Sequence, residues 1–193
     1  MSTLMRILFI VIFLAFVKES MAQESTRYYF PEIGWTIHLP LDFKVLNTEQ
    51  ESASIKRGKK GIAQALDTNV NLLETINLIS AKKSRNYFNA SLTANNSKSD
   101  AAAANFINSQ EKAIYEAMSK SAKVDSSSTV WNVGGEPFRK FEMIVHLNEQ
   151  ASFGMNLVTK LRNGYYFVIT YAYLDSKTQK QIESMLSDSK FSK

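Results

Sequence analysis

The sequence predicts an α/β fold of the α+β type, a three-layer α/β/α sandwich with a central antiparallel sheet and about three helices. Two observations lead there. From Val124 onward apolar residues recur at every second position through four long stretches, which is the period of β-strands. Those stretches are also apolar on both sides. Phe167, Ile169 and Tyr171 alternate with Tyr166, Val168 and Ala172, while Phe141, Met143, Val145 and Leu147 oppose a face that still holds Phe138 and Ile144. Such a sheet needs cover front and back, and three amphipathic segments can supply it.

The chain opens with one positive charge in Met1 to Arg6 and a continuous apolar run from Ile7 to Val17. That run has the length of a signal h-region and is too short to span a bilayer comfortably. Small residues Ser20 and Ala22 occupy the positions a signal peptidase reads. Residues 1–22 are therefore expected to be a signal peptide cut after Ala22, and residues 23–193 one domain, periplasmic or extracellular. The absence of Cys excludes disulfides, thiolate nucleophiles and Cys-ligated zinc. A formal charge of +5 is too small to imply nucleic acid.

Arg27 to Phe30 reads as a first strand, Pro31 to Gly34 as a turn, and Trp35 to Leu39 as a second strand stopped by Pro40. Thr48-x-x-Glu51 has the form of a capping box. It opens a helix to about Leu66 that puts Ile55, Ile62, Ala63 and Leu66 on one face. Ile76 to Lys82 and Ala90 to Ala94 are strands flanking a turn at Arg85-Asn86. The next helix runs from Asp100 to about Lys120, with Phe106, Gln110, Ile114, Ala117 and Met118 at helical spacing and Glu116 and Lys120 as an i,i+4 pair. The four long strands follow: Val124 to Val133, Phe138 to Leu147, Ser152 to Arg162 and Tyr165 to Tyr173. Gly134-Gly135, Asn148-Glu149-Gln150 and Asn163-Gly164 separate them, and the last is a strong type I′ hairpin signal. Ser176-x-x-Gln179, a second capping box, opens a closing helix with Ile182, Met185 and Leu186, and Phe191 is a final apolar anchor.

This order of elements resembles the PsbP-like fold, on Phe30, Gly34-Trp35 and Leu39-Pro40 early and on Asn163-Gly164, Tyr165 to Tyr173 and Ser189-Lys190-Phe191 late. The family includes the extrinsic photosystem II protein of plants and cyanobacteria. The same sandwich occurs in a nuclear import factor that binds a small GTPase and in exported bacterial proteins. The resemblance implies a non-enzymatic scaffold that assists or binds other proteins. Metal sites of some PsbP-type proteins pair His with acidic residues, and no such set matches His38 or His146. No GTPase-binding patch is recognisable.

Candidate chemistry is sparse. His38 and His146 each sit in a strand, with no H-x-H, H-x3-H or H-E-x-x-H spacing to build a metal site. Ser126-Ser127-Ser128 lacks the strained elbow of a serine hydrolase, and Gly58, Lys59, Lys60 and Gly61 match no phosphate-cradling loop. Tyr28, Tyr29, Phe30, Trp35, Tyr165, Tyr166, Tyr171 and Tyr173 read as core and sheet-edge residues. Asn89-Ala90-Ser91 and Asn95-Asn96-Ser97 match the glycosylation pattern.

No catalytic residue, metal or cofactor is assigned. The one candidate binding patch is Lys56, Arg57, Lys59 and Lys60, on a helix face away from the apolar stripe, to which Lys82-Lys83-Ser84-Arg85 could add. The expected function is an exported accessory or assembly module that binds another envelope or secreted protein. The alternatives are a hydrolase whose site assembles only in three dimensions and a peripheral binder of an anionic membrane surface.

Overall fold

The computed structural model describes residues 25–47, 49–50, 75–95 and 99–192. The expected signal peptide, most of the expected helix from Thr48 to Leu66 and its patch Lys56, Arg57, Lys59 and Lys60 lie outside the described residues. Two complete helices and ten strands are described, in the order β1 (Ser25–Phe30), β2 (Trp35–Pro40), β3 (Lys44–Val45), β4 (Thr75–Lys83), β5 (Asn86–Ala94), α1 (Asp100–Ser119), β6 (Lys123–Val133), β7 (Glu136–Asn148), β8 (Ala151–Arg162), β9 (Tyr165–Tyr173), α2 (Ser176–Ser187) and β10 (Lys190–Phe191).

The period-two stretches form the strands expected of them, and every pairing is antiparallel. They do not join into one sheet. Seven strands run in the order β3-β4-β5-β9-β8-β7-β6, and β1-β2-β10 form a separate three-stranded sheet. The reason is the aromatic content of the short strands. Phe30, Trp35 and Phe191 present rings to the face of the large sheet, so these strands stack on it instead of extending its edge. Trp35 packs on Phe167 with ring centroids 5.0 Å apart, and Phe191 lies 5.9 Å from Phe138 and 6.3 Å from Phe167. The cover expected from helices is thus shared: α1 packs against β6, β7 and β8, and α2 lies on the opposite face beside the small sheet.

Local signals shift by small steps. The β8–β9 turn holds Asn163 at φ 50° and Gly164 at φ 79°, as its hairpin signal requires. The β4–β5 turn is Ser84-Arg85 and not Arg85-Asn86, because Lys83 already pairs with Asn86. Both N-caps fall one residue earlier than expected. Asn47 Oδ1 accepts from the Gln50 backbone N–H at 2.9 Å while Gln50 reaches back to the Asn47 N–H. Asp175, not Ser176, caps α2 by accepting from the Thr178 N–H at 2.7 Å. On α1, Gln110 is exposed and Glu111 takes the buried position. Leu147 is exposed, because an irregularity between His146 and Asn148 breaks the alternation that would have turned it inward.

The C-terminus is stitched to the second strand. The Ser192 N–H donates to the Gly34 carbonyl at 2.8 Å, and Arg162 donates to the carbonyls of Ile33 and Ser192 while stacking 4.5 Å above the Phe191 ring. Gly34, at φ 62°, permits this approach; a Cβ there would stand 2.6 Å from Ser192 Oγ. Arg162 and Lys160 also hold Glu136, at 2.8 and 2.9 Å. Burial pushes the Glu136 carboxyl up, but the two cations and their hydrogen bonds more than offset that and hold it below its ordinary range.

Two outcomes follow from this packing. Phe167 is fully buried between the two sheets, so Phe167→Ala is expected to cost about 3–5 kcal/mol in urea unfolding. Glu136 has a depressed pKa in the folded state, so its stabilisation is present above the unfolded carboxyl range and is lost as pH falls through the folded value. Melting temperature should therefore drop on acidification from about pH 5 to about pH 3, and drop less in Glu136→Gln.

Candidate functional site

The register of the large sheet brings Ser127, Glu142, Asn156, Tyr171 and Phe88 into one row across five strands, on the face covered by α2. Above it, Gln179 and Glu183, one helical turn apart, point back at the sheet. Tyr171 donates its hydroxyl to Glu183 Oε1 at 3.2 Å, and Tyr173 donates to Glu142 Oε1 at 3.0 Å. The Gln179 amide donates to both carboxylates, at 3.3 and 3.2 Å. Lys140, only 11% exposed, lies 2.8 Å from Glu183 and 3.9 Å from Glu142, under the ring of Trp131. Gly154 makes the geometry possible: a Cβ there would fall 2.1 Å from the Tyr173 ring, which lies flat against β8.

This cluster has the residue types of an acid–base site, but its charges are spent on one another. Burial first, then the neighbouring carboxylates, push the hydroxyl pKa values of Tyr171 and Tyr173 far above the ordinary tyrosine value. Both hydroxyls are thus held as protonated donors to Glu183 and Glu142. Asn156 is fully buried in the row, and its amide makes no geometrically sound hydrogen bond among the described residues, although it lies close enough to Tyr173 to favour the ionised hydroxyl slightly.

A groove lies on the opposite face, between α1 and the outer strands. It encloses about 270 Å³ and is lined by Asn108, Glu111, Lys112, Tyr115, Ser126, Arg139 and Phe141. Glu111 is almost fully buried at its floor and clamps Arg139 through two hydrogen bonds of 2.6 and 2.7 Å. That pairing raises the Arg139 pKa further. The groove opens along β6, the outermost strand of the large sheet. This strand runs for 11 residues without a register irregularity, and Asp125 to Val130 are exposed along it. Val130 is 77% exposed.

The residues singled out from the sequence are dispersed. His38 is exposed on β2. His146 Nε2 lies 2.7 Å from Asp125 Oδ2, a contact that lowers the Asp125 pKa. Ser126 and Ser128 pair with residues of the α1-covered face, whereas Asp125, Ser127 and His146 belong to the other; among the described residues no hydrogen bond joins Ser127 to the His–Asp pair. Asn89 donates its amide to Asn77, Ser80 and the Ile79 carbonyl, so the nitrogen a glycan would need is engaged within β4 and β5. Lys83 is paired with Asp42 at 2.7 Å, leaving Lys82 and Arg85 exposed. Among the described residues no group of three or more His, Cys, Asp or Glu side chains is arranged to hold a metal. The Lys140–Glu142–Tyr171–Tyr173–Glu183 cluster escaped sequence reading. Its one signal was two charged residues, Lys140 and Glu142, alternating on the same strand face as Phe138 and Ile144.

No family model matches the sequence, and neither does any curated protein. Solved structures do match. The cyanobacterial PsbP protein CyanoP from Synechocystis sp. PCC 6803 superimposes with a TM-score of 0.54 at 9% identity, covering 88% of this chain and 94% of that one. A Bacteroides thetaiotaomicron VPI-5482 protein aligns at 0.49 and 10% identity over 88% of this chain, which spans about half, 49%, of that protein. LpqN of Mycobacterium tuberculosis, described as involved in cell envelope biogenesis, aligns at 0.41 and 11% identity, covering 88% and 91%. The chain has a PsbP-like fold, and at these identities the likeness is one of fold.

Removing the ammonium from the cluster exposes its electrostatic logic. Lys140→Met leaves the carboxylates of Glu183 and Glu142 without the ammonium that stands 2.8 and 3.9 Å from them, and is expected to cost about 2 kcal/mol in urea unfolding at neutral pH.

Proposed function

We propose that this chain is an exported, non-enzymatic accessory or assembly module of the cell envelope or secreted space that works by binding another protein. The observation that carries this reading is the edge of β6, which no other described strand pairs: 11 residues, no bulge, no proline, charges only at Lys123 and Asp125, and an open groove alongside. Most exposed edges are blunted by lysine, proline or a bulge because a bare row of backbone donors and acceptors pairs with any extended chain. Left unblunted, such an edge suits strand addition, with main-chain hydrogen bonds giving affinity and side pockets reading alternate side chains. Tyr115, Phe141 and Val130 offer apolar contact beside it, and Lys112 and Ser126 polar contact.

Two further features support the reading. The signal-like segment at residues 1–22 fits export, and the PsbP-like fold fits a scaffold without its own chemistry. The internal cluster under α2 then has a structural role, fixing α2 to the sheet.

A photo-crosslinkable residue at Ser128 should capture a partner protein in the native compartment, whereas one at His38, on the small sheet, should not. Val130→Lys, which places a charge on the edge, should abolish the Ser128 adduct while leaving the melting temperature within about 1 °C. Equal capture from both positions, or capture unaffected by Val130→Lys, would sink the proposal.

A further inference from the structure

The edge of the large sheet opposite β6 carries a different surface. Lys44 and Lys82 are direct cross-strand partners on β3 and β4, both exposed. Like charges directly opposite each other cost stability in a sheet. Arg85 follows in the adjoining turn. Lys177 stands in the first turn of α2, where the positive end of the helix dipole disfavours a cation, and the N-cap carboxylate of Asp175 beside it is taken up by the Thr178 N–H and hydroxyl. The α2 N-terminus is held at this corner: Asn86, next to Arg85, donates to Thr178 Oγ1 and accepts from the Leu174 N–H. None of the described residues forms an ion pair or hydrogen bond with Lys44, Lys82, Arg85 or Lys177, whereas neighbouring Lys83 is neutralised by Asp42. Four cations with no ion-pair partner among the described residues, three of them in unfavourable places, therefore line this end of the sheet, Lys44 and Lys82 on the face opposite α2.

Apolar tips are interleaved with them. Leu41, Val45 and Leu174 are 56%, 44% and 49% exposed. Leu41 precedes Asp42, the partner of Lys83; Val45 follows Lys44; and Leu174 is hydrogen-bonded to Asn86. A site for a soluble polyanion has no use for exposed aliphatic groups, whereas a bilayer surface takes both, cations at the phosphates and aliphatic tips at the acyl boundary.

We infer that this corner docks the protein on an anionic lipid surface. Charge complementarity selects the lipid class, and the aliphatic tips select a bilayer over a dissolved phosphate polymer. The corner and β6 lie at opposite edges of the seven-stranded sheet, about 29 Å apart at the usual strand spacing. Docked this way, the protein presents its free β6 edge away from the bilayer, and the two surfaces are tested independently.

The test is flotation of the protein, purified as its cell produces it, with vesicles of phosphatidylcholine alone or containing about 30% phosphatidylglycerol, in about 0.05 M and about 0.5 M salt. The readout is the excess of anionic over neutral binding, which removes any contribution of the leading apolar segment. The wild type should bind the anionic vesicles in excess and lose most of that excess at high salt. Removing a cation should weaken the excess about fivefold, so Lys44→Gln/Lys82→Gln/Arg85→Gln should lose about a hundredfold. Leu41→Ser/Leu174→Ser should lose about tenfold on vesicles while binding to inorganic polyphosphate is unchanged. No anionic excess, or full binding by the glutamine variant, overturns the inference. Full vesicle binding by the serine variant, with polyphosphate competing, also overturns it and assigns the corner to a soluble polyanion. All five positions are exposed, so an unchanged melting temperature confirms that the variants fold.

Discussion

The ring of Phe191 lies among Trp35, Phe138 and Phe167, and the rest of the architecture is arranged around that contact. It joins the third residue from the C-terminus to the second strand and to the middle of the large sheet. Aromatic pairs at these separations contribute about 0.5–1.5 kcal/mol each beyond the area they bury, and here they form a closed set. Arg162 completes it by covering the outer face of the Phe191 ring while donating to the two strand ends beside it. Because the small sheet is fastened through its face, Trp35 is fully buried and its indole N–H has no partner among the described residues. The packing tolerates that loss because the ring makes contact on both sides.

The large sheet is covered differently on its two faces, and the difference explains where polar residues collect. Under α1 the contact is a small apolar cluster of Phe141, Met143 and Leu157, bordered by the Glu111–Arg139 clamp. Under α2 the core runs up to a polar seam in which two carboxylates, an ammonium, a glutamine and two tyrosine hydroxyls satisfy one another. Such a seam orients a helix more sharply than oil-like packing does, since each donor has one acceptor position that suits it. It also explains Gly154, whose missing Cβ gives the Tyr173 ring its place.

A division of labour between the two sheet edges makes sense of the surface. One edge is long, uncharged in its middle and bordered by a groove; the other is a two-residue strand whose Lys44 faces Lys82 with no ion-pair partner among the described residues. Strand geometry sets this contrast, because a terminal strand is free to pair only if it is long and flat. The proposed lipid-docking corner and the proposed strand-addition edge thus fall at opposite ends of one sheet.

Much of this was legible in the sequence because strand and hairpin signals are local. The period of two from Val124 to Tyr173, the Asn163-Gly164 turn and the α1 pattern place five elements within a residue or two, and the double apolar faces call for cover on both sides. Capping was legible only to one residue, since Asn47 and Asp175 stand next to hydroxyl residues with the same motif. What the tertiary structure alone decided is partnership across distance. Period two says that Phe30 and Trp35 are in strands, but not that they would stack on a second sheet; that depends on Phe191 arriving from the far end of the chain. Lys44 and Lys82 become a like-charge pair, and Lys140, Tyr173 and Glu183 a seam, only through strand register and helix docking. Those are set by the summed packing of many distant residues, which no window of neighbouring letters contains.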